Sequence, residues 1–98
     1  MAIRSFKDKA TEDINYGRAS KAAMKSLPTE LHQKAQTKLA RLGAATSLQD
    51  LRELRGNRLE PLKGDRQGQH SIRINDKYRI CFKWSGEDVS DVEIVDYH

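Results

Sequence analysis

The spacing of the apolar residues changes near Gly56, and this change divides the chain into a helical part and a strand part. Before Gly56, Leu31, Ala35, Leu39 and Leu42 follow the i, i+4, i+8, i+11 pattern of an amphipathic helix. After it, apolar and polar residues alternate in "SIRI" and "YRICFKW", which is typical of half-buried strands. This order predicts an α+β fold in which N-terminal helices pack on one face of a small antiparallel sheet.

Local signals predict where the helices begin and end. "KATEDINYG" is a brief helix that Gly17 ends, and the main helix starts at Pro28 and stops near Gly43. Thr46 followed by Gln49 fits a capping box, which predicts a shorter helix before Gly56. The apolar face of that shorter helix consists of Leu48, Leu51 and Leu54.

Five segments are predicted to be strands. "IRSF" at residues 3–6 is a short candidate, and "NRLEPLKG" is a strand that Pro61 confines to an edge or a bulge. In the hairpin that follows, one face is apolar and consists of Ile72, Ile74, Tyr78, Ile80, Phe82 and Trp84. The opposite face is predicted to be basic and carries Arg73, Arg79, Cys81 and Lys83. In the last strand, Val92 and Ile94 have the same parity as Asp96 and His98.

Length and composition limit what the chain can be. With 98 residues it has room for one modest core, so residues 1–98 are predicted to form a single domain. No apolar run approaches the roughly 20 residues of a membrane span, and the start "MAIRSFKDKATED" lacks the apolar core of a signal peptide. We therefore expect a cytoplasmic protein that does not contact membranes. Its lone cysteine, Cys81, is expected to be a half-buried strand residue.

The positive charge is concentrated in one segment. The chain carries a formal net charge of +4, and between Arg52 and Lys83 nine Lys and Arg residues stand against four acidic residues. Such an excess is expected of a surface that meets a polyanion. Equally, these cations would be neutralised if they paired with the acids of "EDVSDVE" in the next strand. Charge alone does not decide between the two interpretations.

The last strand ends on three residues that can move protons. "VEIVDYH" places Asp96, Tyr97 and His98 together, and their carboxyl, phenol and imidazole groups all act in general acid/base catalysis. Each also has a structural interpretation. Asp96 would pair with Arg79 or Arg73 across the sheet, Tyr97 would be a core residue at the edge, and His98 would be a frayed end.

Several separate blocks of the second half agree with one known family. The stretch "GNRLEPLKGDRQGQHSIRINDKYRICFKW", followed by "VEIVDYH", closely resembles the HigB-type toxins of the RelE/ParE superfamily, the toxic halves of bacterial toxin–antitoxin pairs. The first half adds the "IRSF" strand and the order of the helices. Because the blocks agree in order and spacing, the likeness is far more specific than a single short motif.

The resemblance implies a RelE-like fold and a ribosome-dependent mRNA endonuclease that uses no metal and no other cofactor. It also implies partners: mRNA, the 70S ribosome, and a helix-turn-helix antitoxin of the HigA type, through which alone the toxin would contact operator DNA. Two alternatives stay open, because a shared fold does not establish a shared activity. One is a ParE-like inhibitor of gyrase or another protein, and the other is a weakly active regulator partnered with its antitoxin.

The resemblance also implies roles for particular residues. Asp96, Tyr97 and His98 match active-site residues of the family, while Lys63 and Arg79 match basic positions beside the scissile phosphate. Further RNA contacts are predicted within the basic segment, at Arg58, Arg66, Arg73 and Lys83.

One position departs from the family pattern. Some members carry a His two residues before the "LKG" block, where this chain has Glu60 followed by Pro61. Either Glu60 takes part in proton transfer, or Asp96 and His98 carry it alone and the toxin is slower. We favour the second, because the cations around Glu60 should keep its carboxylate charged. No spacing of His, Cys and acidic residues suggests a metal site.

Overall fold

The structure, a computed structural model, describes residues 2–86 and 88–96 and contains five strands and four helices within them. The helices are α1 (Lys9–Asn15), α2 (Lys21–Ser26), α3 (His32–Ala44) and α4 (Leu48–Glu53). The strands are β1 (Ala2–Ile3), β2 (Glu60–Pro61), β3 (Gln69–Arg73), β4 (Tyr78–Ser85) and β5 (Asp88–Asp96). Single turns of 3-10 helix lie at Thr29–Leu31, Arg55–Asn57 and Gly64–Arg66.

The strands form one sheet in the order β1-β5-β4-β3-β2. β1 runs parallel to β5, and all other neighbouring strands are antiparallel. β2 lies at the edge of the sheet, which suits Pro61 because proline has no N–H to donate to a neighbouring strand. The sequence prediction of an α+β fold with an edge strand at Pro61 is therefore confirmed.

The hydrophobic core lies between the helices and one face of this sheet. Ala35, Leu39 and Leu42 of the helical stripe are fully buried, and Leu31 packs against them while half-buried. Opposite them, Ile72, Ile80 and Phe82 have no exposed surface, and the register pairs Ile72 with Ile80 and Ile80 with Ile94. Each large side chain buried in this way stabilises the fold by about 1.5 to 3 kcal/mol. The core thus determines which face of the sheet remains for function.

Three local features differ from the sequence prediction. The first strand is shorter than "IRSF", although Phe6 still forms a parallel bridge to Val92. The cap of α4 is Ser47, whose Oγ accepts from the backbone N–H of Asp50, so the predicted capping box is displaced by one residue. Helix α2 was not predicted as a separate element.

Among the helices of the described ranges, none combines the length and the apolar character that crossing a membrane requires.

Candidate active site

The face of the sheet that points away from the helices, here the outer face, carries a layer of charged side chains. Strand register places Glu60 opposite Ser71, Ser71 opposite Cys81, and Cys81 opposite Glu93, so these residues share that face. Arg79 lies two residues before Cys81 and shares it too. The face that was predicted to be basic is therefore of mixed charge, because it carries Glu60 and Glu93 as well as Arg79.

Arg79 is buried beneath this layer, with 8% of its surface exposed. Its Nε donates a hydrogen bond of 2.8 Å to Ser71 Oγ. Its Nη2 donates to the backbone carbonyl of Arg58 at 2.6 Å and to that of Ser71 at 3.3 Å. The Glu60 carboxylate lies 3.5 Å from Nε. Several protein oxygens thus hold the guanidinium in one orientation.

Two local features make these contacts possible. Ser71 is small and fully buried on the neighbouring strand, so its hydroxyl reaches the guanidinium directly. Arg58 adopts a left-handed conformation with φ of 44° and ψ of 55°, which is uncommon outside glycine. This turn presents its carbonyl to Arg79. Neither Ser71 nor the Arg58 carbonyl was predicted, because neither is recognisable from residue type or charge.

A pocket of about 300 Å³ opens along edge strand β2 and includes Glu60, the carboxylate that contacts Arg79. Its lining includes Glu60, Lys63 and Arg66, together with the apolar side chains of Pro61 and Leu62. Lys63 is exposed, and within the described ranges it has no acidic partner within 4.0 Å. The structure therefore brings together Glu60, Lys63, Arg66 and Arg79 from among the predicted site residues.

The four cations predicted to bind RNA differ in whether an acidic side chain pairs with them. Arg66 Nη1 contacts Glu93 Oε1 at 3.0 Å, and Lys83 Nζ lies 3.1 Å from Asp91 Oδ2. Both acids belong to "EDVSDVE", so the pairing interpretation is confirmed for these two cations. Arg73 pairs with Asp76 at the turn of the hairpin. Arg58 is exposed, and no ion pair involves it within residues 2–86 and 88–96. The Lys83–Asp91 pair is exposed on both sides and contributes little, so a phosphate can replace Asp91 at small cost.

Asp96 does not join this group. It lies opposite Tyr78 and has the parity of Ile94, whereas Arg79 lies opposite Val95, so the Asp96 and Arg79 side chains leave opposite faces of the sheet. The Asp96 carboxylate is 3.7 Å from Lys77 Nζ, which also lies over the Tyr78 ring at 5.5 Å. The structural interpretation, in which Asp96 pairs with Arg79 or Arg73, is not observed. Tyr97 and His98 lie outside the described residues, and their roles stay predictions.

Cys81 is more buried than predicted. Its side chain has no exposed surface, and burial raises the pKa of the thiol. The neighbouring Arg66 lowers that pKa, while Glu93 raises it.

Across residues 2–86 and 88–96, His, Cys, Asp and Glu side chains form no group of three or more that would hold a metal ion.

Comparisons with known proteins show which family and relatives the sequence resembles. Residues 4–98 match the family model described as the RelE-like toxin of type II toxin–antitoxin system HigB. The chain is 30% identical to Endoribonuclease HigB of Proteus vulgaris over 97 residues, which span 98% of this chain and 99% of that protein. It is 41% identical to Toxin HigB-1 of Vibrio cholerae over 58 residues, or 59% of this chain and 61% of that relative.

Solved structures show the same fold at low sequence identity. The YoeB/ParE toxin from Agrobacterium tumefaciens is 18% identical, with a TM-score of 0.54 over 100% of this chain and 99% of that one. The YoeB–YefM complex from Staphylococcus aureus contains a chain that is 19% identical, with a TM-score of 0.51 over the same shares. At this identity the likeness concerns the fold alone.

Proposed function

The chain belongs to the RelE-like HigB family of toxins from type II toxin–antitoxin systems, and from this membership we propose that it cleaves translated mRNA on the ribosome and so inhibits growth. The observation that carries the proposal is a pocket lined by Lys63, Arg66 and Glu60, with the buried Arg79 guanidinium 3.5 Å from the Glu60 carboxylate. Two cations that line one pocket, with a third next to its carboxylate, are suited to a phosphodiester, whose negative charge increases in the transition state.

The proposed reaction is a transesterification that needs no metal. The 2′-oxygen of a ribose attacks the adjacent phosphorus, and the bond from phosphorus to the 5′-oxygen breaks. The 2′-hydroxyl proton passes to a base of the enzyme, and an acid protonates the departing 5′-oxygen. The products are a 2′,3′-cyclic phosphate and a 5′-hydroxyl end. Arg79 stabilises the transition state chiefly through its charge, because its Nε and Nη2 groups already donate to protein oxygens.

Two sets of groups are available for proton transfer. The family resemblance implies Asp96, Tyr97 and His98, and we retain them as the proposed acid/base groups. Glu60 is the alternative that gains support from geometry, because its carboxylate lies 3.5 Å from Arg79 and lines the pocket, whereas Asp96 projects from the other face. Comparing Glu60→Gln with Asp96→Asn in a cleavage assay separates the two sets.

The proposal includes partners and location. An antitoxin partner follows from membership in a type II toxin–antitoxin family. We propose that it is a helix-turn-helix protein of the HigA type and that it mediates any contact with operator DNA. The 70S ribosome and its bound mRNA are the proposed target, which places the action in the cytoplasm.

Mapping the 5′ ends of mRNA after brief induction tests the activity and the chemistry together. We expect new ends in phase with the reading frame that can be ligated only after phosphorylation, because the proposed reaction leaves 5′-hydroxyl groups. Lys63→Ala should reduce these ends, and Lys25→Ala, which removes an exposed lysine from α2, should not. DNA damage without new mRNA ends would indicate a gyrase inhibitor instead. Ends that carry 5′-phosphate would contradict the metal-free chemistry.

A further inference from the structure

A buried lysine connects helix α3 to the turn that holds Arg79. We propose that Lys38 and Asn57 are positioning residues for Arg79, acting through the carbonyl of Arg58. The importance of Arg79 for cleavage rests on the proposed function, but its positioning by Lys38 is a separate claim about the folded chain.

The first step is the contact between Lys38 and Asn57. Lys38 has 8% of its surface exposed, and its Nζ donates a buried hydrogen bond of 2.8 Å to Asn57 Oδ1. Asn57 is 1% exposed, and its Nδ2 donates to the carbonyl of Leu51 at 3.1 Å. The Asn57 side chain is therefore fixed from two sides, by α3 and by α4. Buried polar groups that are satisfied in this way hold a single geometry.

The second step is the backbone of the next residue. Arg58 follows Asn57 directly, adopts the left-handed conformation and directs its carbonyl at Arg79 Nη2, 2.6 Å away. A side chain other than glycine keeps this conformation only where surrounding contacts impose it. The two buried bonds of Asn57 supply that restraint immediately before the turn. Loosening them would let the Arg58 carbonyl move away from Arg79.

The third step concerns the charge of Lys38. Its hydrogen-bond partner is a neutral amide, and in the described part of the chain no carboxylate lies within 4.0 Å of its Nζ. Burial lowers the pKa of Lys38, and the nearby cations Lys34, Arg41, Arg73 and Arg79 lower it further. If this hydrogen bond to Asn57 only stabilised the fold, a neutral donor would make it with a smaller free-energy cost of burial than a charged amine. A cation here also adds positive potential beneath the outer face, where a phosphate is proposed to bind.

The test observes Arg79 directly. In the full-length protein, the Nε–H signal of Arg79 is followed by NMR, assigned from its loss in Arg79→Lys, and its exchange with water is measured. Lys38→Met removes the amine and keeps an unbranched apolar side chain that extends as far as the Cε position of lysine. We expect it to shift this signal and to accelerate exchange by about tenfold or more, because the guanidinium loses one of its anchors. The control is Lys34→Met, which changes an exposed lysine of the same helix and should leave the signal unchanged.

Two further variants keep the test decisive. Lys38→Arg retains a charged donor and should restore the parent signal, which a general packing defect would not allow. If Lys38→Met does not fold, Lys38→Gln takes its place, because its neutral amide is one bond too short to reach Asn57. An Arg79 signal with the parent shift and exchange rate in a folded Lys38→Met or Lys38→Gln protein overturns the proposal.

Cleavage kinetics separate this inference from the proposed function. We expect Lys38→Met to lower kcat by on the order of 10- to 100-fold with little change in KM, as misplacement of a transition-state group does. If the parent cleaves no mRNA, the proposed function fails, but the NMR comparison still tests the positioning. If the NMR signal changes and kcat does not, Arg79 is positioned by Lys38 but is not needed for cleavage.

Discussion

Replacing Ser71 with alanine tests whether buried hydrogen bonds or the ion pair to Glu60 hold Arg79. Ser71→Ala removes the oxygen that accepts from Arg79 Nε at 2.8 Å in a fully buried site. Hydrogen bonds that involve a charged group contribute about 1.5 to 3 kcal/mol to stability. Glu60→Gln instead weakens a 3.5 Å ion pair whose carboxylate is 44% exposed. Exposed pairs contribute about 0 to 1 kcal/mol.

Urea unfolding measures both losses in the same experiment. We expect Ser71→Ala to lower the free energy of unfolding by about 1.5 to 3 kcal/mol, which for a domain of this length lowers Tm by roughly 6 °C or more. Ser85→Ala, at the exposed end of β4, serves as the control and should remain within about 0.5 kcal/mol of the parent. A larger loss for Glu60→Gln than for Ser71→Ala would refute the reasoning, because the ion pair would then be the stronger contact.

Further predictions concern the reaction, RNA binding, the turn and pH. Asp96→Asn should abolish growth inhibition while leaving the protein folded, because it removes a proposed acid/base group and keeps the size of the side chain. Asp88→Asn, in the same strand, is the control. Growth arrest by Asp96→Asn equal to that by the parent would exclude the residue from the site. Lys63→Ala should reduce the slope of log affinity for ribosome-bound mRNA against log salt by about one, and an unchanged slope would mean that this lysine contacts no phosphate. Arg58→Gly should keep the Arg79 Nε–H signal, because glycine adopts the same turn and retains the carbonyl; loss of that signal would show that the Arg58 side chain is required. Hydrogen bonds from Ser20 and Lys9 lower the pKa of Asp13, so its contribution to stability is present above the unfolded-state value near 3.8 and is lost as pH falls through the lower folded-state value. Below about pH 3.8, the free energy of unfolding should therefore fall less steeply with decreasing pH in Asp13→Asn than in the parent.

The sequence predicts those parts of the fold that depend on neighbours along the chain. The stripe of Ala35, Leu39 and Leu42 indicates a helix because the period of 3.6 residues brings these side chains to one side. Alternation around Ile80 and Phe82 likewise predicts both a strand and its buried face, and Pro61 predicts an edge. Sequence blocks also indicate the toxin family. The α4 cap was missed by one residue because adjacent Thr46 and Ser47 are both suitable caps, and only the backbone path decides between them.

The candidate site depends on contacts between distant segments. The alternation of apolar and polar residues predicts that Arg79 lies on the outer face. It does not predict the hydrogen bond from Arg79 to the carbonyl of Arg58, which belongs to a turn 21 residues earlier. Only the folded chain brings Lys38, Asn57 and Arg58 into one path to that arginine. The sequence shows which residues of β5 share a face, because that depends only on their spacing along the strand. The register with β4, which the sequence does not show, places Asp96 beside Tyr78 and Lys77 instead of Arg79. Periodicity thus determined which side of each strand or helix is apolar. Tertiary packing decided which charges meet, because burial depends on segments that no local pattern describes.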